Sequence, residues 1–200
     1  MMRDAGVKSP EENRTDSERL DRLFNSLWSH PCFTIAAVQG VALGGGAGLI
    51  ACSDHVIALD SSRIALSEAK LGILPAVIGP YVYRRVGSAQ FRRLAMLAGR
   101  FDGHEALNIG MADQVSTSME EAAEMVDAAI ATVMSTGPVA VTEAKNLAQT
   151  LDNWRGTEED LRRWTLDKTS EMRSSPEGQE GLSAFLDRRP PAWSPEDQDG

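Results

Sequence analysis

Residues 40–54 read GVALGGGAGLIACSD, and five of these fifteen residues are glycine. No other stretch limits the fold as much. Glycines this dense mean that backbone comes close to something or adopts angles that other residues cannot. The run follows TIAAVQGVAL, a β-favouring segment, and leads into an apolar segment about two helical turns long. Strand, glycine turn and helix start are therefore expected in that order, and an anion could be held there in several ways.

A phosphate loop of the GxxxxGK[ST] kind is excluded. Gly46 is followed by Ala47-Gly48-Leu49, so the lysine and hydroxyl that reach phosphate and magnesium are missing. A dinucleotide turn fits better at first sight. Gly44 and Gly46 match the first two glycines of GxGxxG, and Asp60 ends the next strand, where a ribose-binding acid would sit. However, Leu49 takes the third glycine's place. Only about eight residues separate Gly46 from Asp54, whereas a parallel βαβ crossover needs about ten to twelve or more. Two readings remain open. One is an oxyanion pocket, in which the unpaired N–H groups of a helix start face developing negative charge. The other is a tight packing turn between strand and helix.

The next chemical feature is Leu66-Ser67-Glu68-Ala69-Lys70-Leu71-Gly72-Ile73-Leu74-Pro75, which sets one carboxylate in an apolar run. A carboxyl buried among such residues is desolvated, which raises its pKa and suits general acid/base work. An exposed loop glutamate beside Lys70 is the alternative.

The rest of the chain reads as strands first and helices later. Ser9-Pro10-Glu11-Glu12 is a helix start, and Leu20, Leu23, Phe24, Leu27 and Trp28 then recur on one face over residues 9–29. HVIALD and RIALSEA are short extended runs, LGILP is an apolar packed turn, and MADQV a short buried strand. Helices are expected over AVIGPYVYRRVG, SAQFRRLAMLAG, DGHEALNIG and four later segments. This gives a β-containing core at 1–115, a helical assembly region at 116–190 and a loose tail at 191–200.

The chain of 200 residues carries a formal net charge of −9 and has a pI near 4.9. Nucleic acid and anionic membranes are poor partners for it. The pairs Arg84-Arg85, Arg92-Arg93, Arg162-Arg163 and Arg188-Arg189 read as solvated helix faces. Two cysteines without a CxxC motif suit a reducing compartment, hence the cytoplasm. Three scattered histidines give no metal spacing. No apolar run reaches about 18 residues, and the polar start is not a signal peptide.

Together the stretches TIAAVQGVALGGGAGLIACSDHVIA, IALSEAKLGILPAVIGPYVYRRVG, GRFDGHEALNIGMADQV and SSPEGQEGLSAFLDRRPPAW resemble the enoyl-CoA hydratase/isomerase family, the crotonase superfamily. The likeness is strongest to methylglutaconyl-CoA and geranoyl-type hydratases, which act on branched or carboxylated enoyl-CoAs. It implies an α/β fold, a spiral of ββα units with a helical C-terminal part, assembled as trimers or dimers of trimers. It implies a hydro-lyase that adds water to an acyl-CoA thioester, with coenzyme A arriving as part of the substrate and no metal or redox cofactor. By the motif match, Gly45 supplies an oxyanion N–H and Glu68 is the second of the family's two catalytic glutamates. Gly44, Gly45, Gly48, Leu71, Pro75, Ala76, Ile78 and Tyr81 are expected to contact the substrate.

Two departures carry weight. The position of the family's first glutamate is Gly48 here, and the geranoyl-type subgroup also carries glycine there, so Glu68 is expected to work alone. The F-S-A-G-A-D-like motif that gives the second oxyanion N–H would precede Met1, so the fold is expected to lack its first strands. A single-glutamate enoyl-CoA isomerase and a non-catalytic crotonase-like subunit are the alternatives.

Overall fold

A computed structural model describes residues 8–194. The first helix forms where its local signals lie. α1 (Pro10–Trp28) carries a capping box in which Ser9 Oγ accepts from Glu12 N–H and Glu12 Oε2 accepts from Ser9 N–H. Two orphan donors are thereby satisfied at once. Phe24 is the buried residue of its apolar stripe, while Leu23 points to solvent.

The β-favouring run that follows is two strands, β1 (Ile35–Val38) and β2 (Val41–Leu43). Gly40, at φ 67°, turns the chain between them. α2 (Gly45–Cys52), β3 (His55–Leu59) and β4 (Arg63–Ala65) come next. β1 pairs with β3, and β3 with β5 (Gln114–Ser116), all parallel. β2 pairs with β4, also parallel, in a second sheet. The strand before α2 thus does not pair with the strand after it. The crossovers from β1 to β3 and from β2 to β4 each contain a strand of the other sheet as well as α2, which is why so short a helix suffices. Two successive strands and a helix form the repeating unit. The register is pinned at its start by Asp54, whose Oδ2 accepts from both the N–H and the hydroxyl of Thr34 at 2.8 Å.

The segment after β4 forms a 3-10 turn, Glu68–Leu71, closed by Gly72 at φ 71°. The LGILP stretch is packed only at Pro75: Leu71, Ile73 and Leu74 are exposed apolar side chains. α3 (Gly79–Leu97) covers both helical segments read from the sequence, with a break at Gly87, φ 74°. α4 (Gly103–Asn108) and α5 (Met119–Met134) follow. Met111 and Ala112 are buried as expected, but they precede β5 rather than belong to it.

Arg85 corrects its reading as a solvated helix face. Its guanidinium donates to Ser53 O, Gly110 O and Asp113 Oδ2, while Asp113 Oδ2 also accepts from Val56 N–H. It ties the helix to two backbone carbonyls and to a carboxylate through charge-assisted hydrogen bonds.

The chain divides into two compact units. One runs to His30 and resumes over Thr34–Val126; the other holds Pro31–Phe33 and the chain from Asp127 on. The division falls inside α5. Ala122, Met125 and Val126 on its first turns pack against Ile57 and Leu59 of β3 and so belong with the sheet.

The second unit contains α6 (Pro138–Asn153), α7 (Glu158–Ser174) and α8 (Pro176–Asp187). Glu177 accepts from the N–H groups of Val139 and Ala140, a carboxylate at the positive end of α6. Arg189 is held by Glu180 through two hydrogen bonds of 2.7 and 2.8 Å, so it too is paired and not merely solvated. Of the tail at 191–200, residues 195–200 lie outside the described residues. Within 191–194, Ala192 N–H donates to Glu180 Oε1. Among the described residues no single helix is long and apolar enough to cross a membrane.

Candidate active site

Parallel pairing brings the C-terminal ends of β2 and β4 side by side. The register Val41↔Arg63, Ala42↔Ile64, Leu43↔Ala65 continues for one more step, as Gly44 N–H donates to Ala65 O at 2.9 Å. Beyond that step the two chains part. Gly44 turns into α2, and Leu66-Ser67 leads to Glu68. In open parallel sheets this is where ligands bind.

Gly44 has φ 53° and ψ −110°, a conformation that side chains rarely adopt. It also touches the carboxylate: a Cβ at Gly44 would lie 2.9 Å from Glu68 Oε1. Glycine is needed there for two separate reasons. α2 then opens at Gly45, and Gly48 N–H reaching Gly44 O closes the first turn. The N–H groups of the first turn have no acceptor within the helix, and they form its positive end.

Glu68 is buried, at 7% exposure. Of its apolar sequence neighbours, Leu66 is buried while Leu71, Ile73 and Leu74 are exposed, and the turn at Gly44 lies against its carboxylate. Its own turn is fastened by Ile73 N–H donating to Glu68 O and Gly72 N–H to Ala69 O. Oε2 is fully buried and has no hydrogen-bond partner among the described residues. Leaving a buried acceptor unmatched costs about 1–3 kcal/mol, and unmatched groups of this kind mark strain or chemistry.

A cavity of about 510 Å³ opens at this point. Gly45 and Glu68 lie on it, as do Pro75, Ala76 and Ile78 from the predicted set. Gly44 sits under the carboxylate. Gly48 is buried, and the space its side chain would take is filled: a Cβ there would come 2.4 Å from Ile78 Cγ2 and 3.0 Å from Phe24 Cε1. Leu71 is exposed and lies off the cavity. Tyr81 is buried behind it, its ring centre 6.1 Å from that of Phe24 and 5.9 Å from that of Trp28. Burial pushes the Tyr81 phenol above its usual range.

Sequence reasoning missed α1 as a wall. Asn13, Asp16, Ser17, Leu20 and Phe24 all line the cavity. The signal was present, because these residues recur at three- and four-residue steps on the stripe already read from Leu20 onward. A hydrogen bond from the Lys8 ammonium holds the Asp16 carboxyl below its ordinary range. Among the described residues, no three His, Cys, Asp or Glu side chains gather as metal ligands.

Residues 2–196 match the family described as enoyl-CoA hydratase/isomerase. The chain belongs to that family. This enoyl-CoA hydratase/isomerase family member is 32% identical over 182 residues to 1,2-epoxyphenylacetyl-CoA isomerase of Escherichia coli, covering 88% of the chain and 68% of that protein. It is 31% identical over 187 residues to the mitochondrial methylglutaconyl-CoA hydratase of Rattus norvegicus, covering 89% of the chain and 57% of that protein. Among solved structures, an enoyl-CoA hydratase from Shewanella pealeana superposes with a TM-score of 0.87 at 38% identity, over 96% of the chain and 71% of that protein. The two parallel sheets with interleaved helices are thus the crotonase fold. In this family member the glycine run and Glu68 meet through the β2–β4 pairing.

Proposed function

We propose that this chain is a hydro-lyase that adds water to an α,β-unsaturated acyl-CoA thioester with a branched acyl group. One observation carries the reading. A buried carboxylate with an unmatched oxygen, Glu68, shares one largely apolar cavity with the helix start at Gly45. In the reaction, Glu68 takes a proton from water as the water oxygen bonds to Cβ. The electron pair of the double bond moves to the thioester oxygen, which the Gly45 N–H holds. The Glu68 carboxyl then returns a proton to Cα. Pro75, Ala76 and Ile78 form part of the acyl wall. The branched acyl group rests on the similarity to methylglutaconyl-CoA hydratase.

A 2-enoyl-CoA should lose its conjugated absorbance in the presence of the protein. Glu68→Gln should slow this at least about a hundredfold, the lower range for a lost general acid/base. Full activity in Glu68→Gln would overturn the assignment.

Gly48 favours a second reading. With Ile78 filling that position and Glu68 the one glutamate on the cavity among the described residues, proton transfer between Cα and Cγ needs nothing further. An isomerase creates the conjugated absorbance from a 3-enoyl-CoA. A folded protein that turns over neither substrate would favour the non-catalytic subunit. A homotrimer or dimer of trimers is supported by Phe185 and Leu186 of α8, apolar side chains 80% and 76% exposed. Sedimentation would test it. A cytoplasmic location is supported by two cysteines held as thiols.

A further inference from the structure

The face that α1 turns to the cavity changes character along its length. Phe24 is its apolar end, with Cζ 3.7 Å from the Cβ position of Gly45. Leu20 follows one turn back, then Asp16 and Ser17. Asp16 lies eight residues before Phe24, about 12 Å at the rise of an α-helix. An acyl chain anchored at Gly45 and Glu68 and running along α1 would therefore reach a polar end.

What that end offers can be read from the bonds already made. Ser17 spends its hydroxyl hydrogen on Asn13 O at 2.9 Å. Asp16 accepts from the Lys8 ammonium and, at 3.5 Å, from Arg19 Nη1. A carboxylate has about four acceptor sites, so Asp16 keeps capacity, and Ser17 keeps its lone pairs. Both can accept a hydrogen bond. Because Lys8 already balances the Asp16 charge, a second cation gains little there. A carboxylate tail has no hydrogen to give these lone pairs.

We infer that this end of the cavity selects acyl-CoA thioesters whose distal end carries a hydroxyl group, with Asp16 as the selecting acceptor. This rests on the acyl-CoA reading above and narrows it, setting hydroxylated tails above carboxylated ones.

The test is calorimetric titration of the full chain with saturated acyl-CoA thioesters of matched length, which cannot be hydrated. The three tails are plain, terminal hydroxyl and terminal carboxylate. The hydroxyl tail is expected to bind about tenfold tighter than the plain one, the scale of a hydrogen bond to a charged group. The carboxylate tail is expected to bind no tighter than the plain one. Asp16→Leu should abolish the hydroxyl preference. Asp16→Asn, which keeps a neutral acceptor, should retain part of it, and circular dichroism reports whether each variant is folded. Equal binding of plain and hydroxyl tails by the wild type would overturn the inference. So would a preference that survives in folded Asp16→Leu. Turnover of enoyl-CoA without tail preference sinks this inference alone. Tail preference without turnover of any enoyl-CoA sinks the hydro-lyase reading alone. No binding of any thioester sinks both.

Discussion

Gly48→Ala sets two physical effects against each other. Position 48 lies inside α2, where alanine is favoured over glycine by about 0.5–1 kcal/mol. Propensity alone predicts a more stable protein. The surroundings predict the reverse. A Cβ at 48 would stand 2.4 Å from Ile78 Cγ2, 3.0 Å from Ile78 Cβ and 3.0 Å from Phe24 Cε1. Ile78 is β-branched and stiff at χ1, and it and Phe24 are 4% and 1% exposed. Neither can swing aside into solvent. Overpacking of this kind costs about 1–3 kcal/mol, here toward the upper end. The net effect is a loss of about 1–2 kcal/mol, and for a chain of this size Tm should fall by about 2–8 °C. Thermal unfolding followed by circular dichroism measures it. Ile78→Ala removes the opposing methyl, so the double variant should lose less than the two singles together, by about 1 kcal/mol. An unchanged or raised Tm in Gly48→Ala, or strict additivity with Ile78→Ala, would refute the packing argument. A glutamate placed at 48 meets the same wall, so adding that carboxylate alone should not create a working pair with Glu68.

The other expectations are narrower. Gly44→Ala should lower Tm and turnover together, because a strained φ costs about 1–3 kcal/mol and the new methyl displaces Glu68 Oε1; wild-type turnover in a folded variant would count against the Gly44–Glu68 contact. Burial pushes the Cys52 thiol up to about 12 while Cys32 is exposed, so a thiol reagent at neutral pH should modify one cysteine in native protein and two in guanidinium. The Glu180 carboxyl is drawn from 4.5 to about 2 by hydrogen bonds from Arg189 and Ala192 N–H. A lowered folded-state value adds stability above about pH 4.5 that is lost as pH falls toward 2. Glu180→Gln should therefore show a shallower fall in Tm across that window, and identical curves would remove the pair from the stability account.

What was legible in the sequence was what neighbours in the chain decide. Ser9, Pro10 and Glu12 fix the start of α1 without outside help. The turn residues on either side of HVIALD, Asp54 and Asp60-Ser61-Ser62, place β3 within a residue. The burial of Glu68 was legible, but not its whole cause. Glu68 was expected to be buried among Leu66, Leu71, Ile73 and Leu74; Leu66 is buried but the other three are exposed, and the carboxylate also meets Gly44 through a contact made by strand pairing. No window of sequence contains both residues. Arg85 went unread for the same reason, since its acceptors at Ser53, Gly110 and Asp113 are distant in the chain.

The glycine run makes the point at single-residue resolution. Read as composition, its glycines are equivalent. In the fold they are not. Gly44 is required by its dihedral angles and by a carboxylate, Gly48 by an isoleucine and a phenylalanine on other helices or turns, whereas a Cβ at Gly45 would sit at an ordinary 3.7 Å from Phe24. The residue read as the oxyanion donor is thus the least sterically constrained of the three. What it contributes is a backbone N–H at the first turn of a helix, which any side chain small enough to leave the cavity open would also supply. Its neighbours hold the geometry, and the chemistry depends on where they place it.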